Sequence, residues 1–389
     1  MDETTPDNGV NVPVKKKIGW HLPTDPVKRK KVVITLSLVG AIVLGALVAL
    51  ALQLKNVGSG GLAGVLNTNG IADKLTGKVE VSDLDGLEYD STLANRRPLA
   101  IMVENHPDAR PQYGLTRASV VYEAAAEGGI TRYLAVFGGK DADRVGPIRS
   151  ARTYYVEWML EYDAIYAHAG GAQNAIDILS KLRKGEGNMD TVGEPVMWRQ
   201  RRGSEASEHT LYGSTVFMRR YSQDVKWHQD AKYTPWQFAA DKRTAAERAT
   251  GAVTAIHIPY GGSYKVDFNY DAEKNIWNRT LIGKKDIDAL TNEQIAPTNV
   301  VVITIPRTEV VSAGKQVGQL DLYGSGPALV FKGGQVTKGT WKKEGQSKRT
   351  RFLDENNKEI SLIPGQTWVS IVQPGTTATY DQAANQAAN

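Results

Sequence analysis

A chain of 389 residues, 41% hydrophobic and 23% charged, has the length and apolar content for about two globular domains plus accessories, which excludes a disordered protein. Its net charge of +5 is concentrated at the start, where seven basic residues (Lys15, Lys16, Lys17, Lys28, Arg29, Lys30, Lys31) face four acidic ones (Asp2, Glu3, Asp7, Asp25), so no nucleic-acid footprint is expected. With no cysteine and six histidines, disulfides, thiolate metal sites and a lipidated cysteine are excluded, and neither a metal nor a cofactor is expected.

Residues 1–31 read as a basic cytoplasmic tail. The run "VVITLSLVGAIVLGALVALALQL", Val32 to Leu54, carries no charge over 23 positions, enough helix to cross a hydrocarbon core of about 30 Å. Lys28 to Lys31 abut its start, and after Lys55 no basic residue occurs before Lys74. The positive-inside rule therefore places the N-terminus in the cytoplasm and residues 55–389 outside a cell membrane crossed once. The rival reading is a signal peptide cleaved near Ala49-Leu50-Ala51. Residues 55–94, rich in Gly and Asn, read as a flexible tether.

Residues 95–249 are expected to form a mixed sheet covered by helices. "RPLAIMVE" is a strand, and "SVVYEAAAEGGITRYLAVF" is two strands joined by a two-residue turn at Gly128-Gly129. That register opposes Ala125 to Arg132 and Glu123 to Leu134, which puts Glu123, Glu127 and Arg132 on one face; a one-residue slip separates them. Gly146-Pro147 then forces a turn. Ala151, Tyr154, Tyr155, Trp158, Met159 and Tyr162 follow at helical spacing, with Ser150 near the N-cap.

Arg149 and Arg152 crowd a helix start whose dipole is already positive, so they require an anion: a ligand carboxylate or phosphate, or Glu123 or Glu127. "AIYAHA" is a short strand with Tyr166 and His168 on one face, just ahead of Gly170-Gly171 and a second helix. "MWRQRRGSEASEHTLYGS" is a polar loop with Trp198, Arg199, Glu205, Glu208 and His209 that either closes over a ligand or is a solvated charge run. Residues 250–378 read as a mainly antiparallel β domain and 379–389 as a disordered tail. The fold class is α+β, with one N-terminal transmembrane helix. Zincin, phosphate-loop and nucleophile-elbow motifs are absent.

The blocks "RPLAIMVENHPDARPQYGL", "VYEAAAEGGITRYLAVF", "GPIRSARTYYVEWMLEYDAIYAHAGG" and "EHTLY", with the later "GTWKK" and "PGQTWVSIV", resemble the YerB-like envelope lipoprotein family over roughly residues 95–375. His209, Leu211 and Tyr212 fit that family's Pro-His-Asn-Leu-Tyr motif, from which Glu208 and Thr210 depart. Trp198 and Arg199 fit its Phe-Trp-Arg, and Asn105 and His106 fit its Asn-His-Pro. The usual lipidated cysteine is missing, and the span at 32–54 stands in its place. The resemblance implies an extracytoplasmic, membrane-tethered, two-domain protein and supplies no reaction.

The resulting expectation is a cleft that binds an anionic or glycan envelope component through Arg132, Arg149, Arg152, Asn105, His106, Trp198, Arg199 and Tyr212. An enzyme alternative uses Glu123, Glu127, His168 and His209 as acid and base on an envelope glycan. A third class is a scaffold that binds another envelope protein through the C-terminal sheet.

Overall fold

The structure is a computed structural model that describes residues 77–383 except 262 and 263. The basic tail, the span expected at 32–54, the first part of the tether and residues 384–389 lie outside the described residues. Among the described residues, no helix is long and apolar enough to cross a membrane.

The first half gives five strands to the largest sheet: β1 (Leu99–Glu104), β2 (Val120–Ala125), β3 (Thr131–Phe137), β4 (Ile165–His168) and β5 (Asn188–Asp190). Helices α1 (Thr153–Leu160), α2 (Gln173–Lys181) and α3 (Thr215–Asp224) accompany them. The second half supplies β6 (Val253–Gly261), β7 (Tyr264–Asp271), β8 (Ile276–Leu281), β9 (Lys284–Lys285) and β10 (Asn299–Thr304). β11 (Gly324–Lys332), β12 (Gln335–Lys343), β13 (Arg351–Leu353), β14 (Thr367–Val372) and β15 (Thr379–Gln382) complete the two main sheets.

Ten strands form one mixed sheet in the order β13-β12-β11-β10-β14-β2-β3-β1-β4-β5, and five form an antiparallel sheet in the order β9-β8-β7-β6-β15. The large sheet runs across the boundary expected at 249/250. β14 lies between β10 and β2, parallel to both, with Thr367 opposite Val120 and Ser370 opposite Glu123.

β1 is buried along its whole length because both faces of the sheet are covered, as its unbroken apolar run requires. Ala100 and Met102 join a core with α1 on one face. Leu99, Ile101 and Val103 join Ile256, Phe268 and Trp277 of the smaller sheet on the other. The aromatic stripe of α1 packs as its spacing predicts, Trp158 stacking on Tyr122 at 4.9 Å. Val156 and Leu160 are buried too, so α1 is enclosed on more sides than a surface helix.

Several expectations are corrected. Residues 79–90 are folded and not part of a tether: Val79–Val81 pairs with Glu88–Asp90, Leu84 is buried, and Asp85 accepts from Ser119 Oγ at 2.6 Å. Residues 379–382 are not a disordered tail, because β15 pairs with β6 and Tyr380 packs edge-on to Phe331. α1 starts at Thr153, with Arg152 rather than Ser150 as its N-cap. The β2–β3 connection has three loop residues instead of two, the Ala126 N–H donating to the Ile130 carbonyl at 2.8 Å. Gly128 and Gly129 both take positive φ (72° and 71°), which is why this turn uses two glycines. The register slips by one, so Arg132 faces Ala124, and Glu123 faces Tyr133. Glu123 and Arg132 therefore sit on opposite faces of the sheet.

Candidate functional site

A cleft of about 150 Å³ opens at the end of β1, lined by Glu104, Asn105, His106, Glu127, Thr131, Arg132 and Arg149 among others. Its geometry follows from one pairing. Beyond Ile101, β1 has finished its pairing with β4, and the segment after Gly146-Pro147 takes that edge. The Glu104 N–H donates to the Pro147 carbonyl at 2.9 Å and the Arg149 N–H to the Met102 carbonyl at 3.0 Å. A side chain at Gly146 would meet Ile148 N and the Leu211 carbonyl within 3 Å, so this close approach requires glycine. Arg149 thereby reaches Glu104, Nε to Oε1 at 2.8 Å.

The other Glu104 oxygen, Oε2, meets His209 Nδ1 at 2.8 Å. His209 ends a single helical turn, Ser207–His209, in the loop between two short paired strands, Met197–Arg199 and Leu211–Gly213. That loop is held in place because the Ile148 N–H donates to the Leu211 carbonyl at 2.6 Å. Glu104 is only 4% exposed, so a carboxylate, an imidazole and a guanidinium meet out of water. His106 stacks on the His209 ring at 4.8 Å, with 12° between planes.

On the opposite wall, Glu127 receives the fork of Arg152, Nε to Oε1 and Nη2 to Oε2, both at 2.6 Å. Burial pushes the Glu127 carboxyl up, but the hydrogen bonds and charge of Arg152, with Arg132 behind them, outweigh it and hold the group down at about 2. Arg132 is the weakly partnered cation. Its Nη1 donates to the Ser150 carbonyl at 3.3 Å, and its Nη2 stands 3.5 Å from Glu127. Burial first, and then the Arg152 charge, press its pKa below the usual arginine value.

The residues named from sequence divide into two groups. Glu127, Arg132, Arg149, Asn105 and His106 line the cleft, and Arg152 and His209 reach it through Glu127 and Glu104. Asn105 is fully buried, donating to Thr131 Oγ1 at 2.8 Å and accepting from Arg110 Nε at 3.1 Å.

Glu123 does not belong to the cleft. It is fully buried on the far face, accepting from Arg279 Nη2 at 3.0 Å on both oxygens and from Trp368 Nε1 at 3.0 Å. His168 is fully buried as well, its ring nitrogens engaged by the Gly170 carbonyl at 2.8 Å and the Asn188 side-chain amide at 2.7 Å. Trp198, Arg199 and Tyr212 lie outside the lining. Arg199 Nη1 donates to the Ser207 carbonyl at 2.5 Å, and the Tyr212 ring carries the Arg144 guanidinium at 3.9 Å. Glu104 escaped the sequence reading, although a carboxylate that closes an apolar strand immediately before Asn105-His106 was the available signal.

Two family profiles match the chain: the N-terminal domain of a protein of unknown function (DUF3048) over residues 84–228, and its C-terminal domain over residues 256–369. The chain belongs to the DUF3048 family. YerB of Bacillus subtilis (strain 168), named as a candidate lipoprotein, is 29% identical over 300 residues, 76% of this chain and 87% of YerB. The crystal structure of YerB from Bacillus subtilis superposes with a TM-score of 0.69 at 27% identity, covering 78% of this chain and 99% of that one. In DUF3048 terms, β1–β5 fall within the N-terminal match and β7–β13 within the C-terminal one, while β14 reaches the end of the latter. The cleft-lining residues belong to the N-terminal match.

Proposed function

We propose that this DUF3048 member is a membrane-anchored protein of the bacterial envelope whose cleft binds an anionic or glycan envelope component. The observation that carries the reading is Arg132. Among the described residues, the carboxylates that line the cleft and pair with Arg132, Arg149 and Arg152 are Glu104 and Glu127, and Glu127 gives both of its oxygens to Arg152. Arg132 thus offers N–H donors to an incoming phosphate or carboxylate, a match to arginine's planar fork. The envelope setting is supported by the kinship with YerB, named as a candidate lipoprotein, and by the uncharged run at 32–54 with its basic flank.

The test is titration of the full-length chain with a glycerol-phosphate polymer and with a uronic-acid polymer. Binding that falls tenfold or more in Arg132→Met supports the reading. Equal binding by wild type and Arg132→Met, with the fold intact by circular dichroism, refutes it.

A second reading, acid–base chemistry on an envelope glycan, is favoured by the Glu104–His209 contact. A carboxylate on Nδ1 fixes the tautomer and leaves Nε2 to exchange protons. Soluble products released from envelope material by wild type but not by His209→Gln support it, and their absence from wild type overturns it.

A further inference from the structure

The wall formed by His106 and His209 has donor chemistry that neither reading uses. His106, Asp108 and His209 each present a ligand atom, and the three atoms lie within 4.8 Å of one another. Two imidazoles and one carboxylate are the donor set that divalent first-row ions take when they keep open positions for water or substrate. The cleft adds what such a set usually requires. His209 Nδ1 is held by Glu104 Oε2 at 2.8 Å, the outer carboxylate contact that fixes a ligating histidine's tautomer and aims Nε2. Among the described residues, Nε2 has no hydrogen-bond partner. His106 Nδ1 accepts the Asp108 N–H at 3.3 Å and stands 3.6 Å from Asp108 Oδ2, and among the described residues the Nε2 of this ring has no hydrogen-bond partner either.

We propose that His106, Asp108 and His209 form a binding site for a divalent transition-metal ion, with Glu104 as the positioning carboxylate. His106 lines the cleft, so an ion held there stands on the cleft wall with coordination positions open toward its interior.

Geometry and charge are consistent with this assignment. Donors that share an ion at about 2.0–2.1 Å stand roughly 3.4 Å apart, so the triad must contract by up to about an ångström and a half. The movable members are the right ones: the side chains of His106 and Asp108 are 36% and 62% exposed, whereas that of His209 is 8% exposed and anchored. Contraction turns His106 out of its stack on His209. The neighbouring positive charge is already answered, Arg149 by Glu104. Exposed Glu208 adds a further carboxylate next to His209 in the chain.

The experiment uses the full-length chain stripped with chelator, titrated with Zn²⁺ by calorimetry and with Co²⁺ by visible absorption. One equivalent of Zn²⁺ is expected, with a Co²⁺ spectrum of the intensity typical of four or five ligands. His106→Gln and Asp108→Asn alter exposed side chains and leave Glu104–His209 intact, so folding is not at issue. Each should weaken the metal by at least tenfold. Glu104→Gln, which keeps the ligands and loosens their orientation, should weaken it 10- to 100-fold. Binding at substoichiometric level, or Zn²⁺ affinity unchanged in both His106→Gln and Asp108→Asn, overturns the assignment. Because the readout is the metal itself, this outcome is separate from any failure to bind an envelope polymer.

Discussion

Glu127→Gln tests the electrostatic account of the cleft most directly, because one substitution is expected to weaken the fold and strengthen the site. The carboxyl is held at about 2 against an ordinary value of 4.5, and at ~1.4 kcal/mol per unit this sets an upper limit of ~3 kcal/mol. The Glu127 side chain is 30% exposed, so solvent screening reduces the expected loss at pH 7 to about 1–2 kcal/mol. The sign follows from the direction of the shift. A depressed carboxyl pKa stabilises the fold above the unfolded value and stops doing so as pH falls through the folded one. Wild type should therefore exceed Glu127→Gln in urea midpoint at pH 7, and the gap should narrow below about pH 4.5 and close near pH 2. The same change leaves Arg132 and Arg152 without their competing anion, so a polyphosphate-type ligand should bind about 3- to 10-fold tighter at low salt. An unchanged urea midpoint at pH 7, or an affinity that drops, would refute the reasoning.

Three further outcomes follow from other sites. Glu123→Gln takes from fully buried Arg279 one of its two carboxylate partners and leaves Asp286, so about 1.5–3 kcal/mol of stability should be lost by chemical denaturation; a loss below about 0.5 kcal/mol would show the Glu123 pairing to be dispensable. His257 bonds Asp267 at 2.7 Å and Asp381 at 3.2 Å, and the Asp267 hydrogen bond in particular raises its pKa above 6.5. Its contribution is complete below the unfolded pKa and lost as pH rises through the raised value, so amide protection in β15 should decline over that interval. Protection independent of pH there would contradict the pairing. Trp158→Ala removes the ring stacked on Tyr122 and should cost about 3–5 kcal/mol; calorimetry showing an unshifted transition would mean that the α1 core repacks freely.

The strands and α1 were legible because hydrophobic period is a local property. Ala151, Tyr154, Tyr155, Trp158, Met159 and Tyr162 declared a buried face, and all are buried. Of the two arginines at the start of α1, Arg152 meets Glu127, a partner the sequence offers, whereas Arg149 meets Glu104, which it does not. The turn was the weak link. Gly128-Gly129 suits a two-residue loop and a three-residue one alike, and a single extra residue sends Glu123 to the other face. Glu104 and Arg279 stayed invisible for a different reason: their partners lie far away in sequence, Arg279 being 156 residues from Glu123. No spacing rule reaches that distance. The change of character near Thr254 coincides with the start of β6 at Val253, but it does not mark an end to the first sheet, because a strand's sequence does not reveal which neighbour it will pair with.

That placement of β14 has a consequence for synthesis. A chain made from its N-terminus completes β2 some 240 residues before Thr367–Val372 appears to cover the β2 edge (Glu123 to Trp368 alone spans 245). During that interval an apolar strand with unpaired N–H and C=O groups has no native neighbour on one side, a template for pairing with other chains. Contacts of such sequence separation make for slow folding. The nascent protein therefore depends on protection of that edge until Thr367–Val372 is available, and a truncation before Thr367 should aggregate rather than yield a smaller soluble domain.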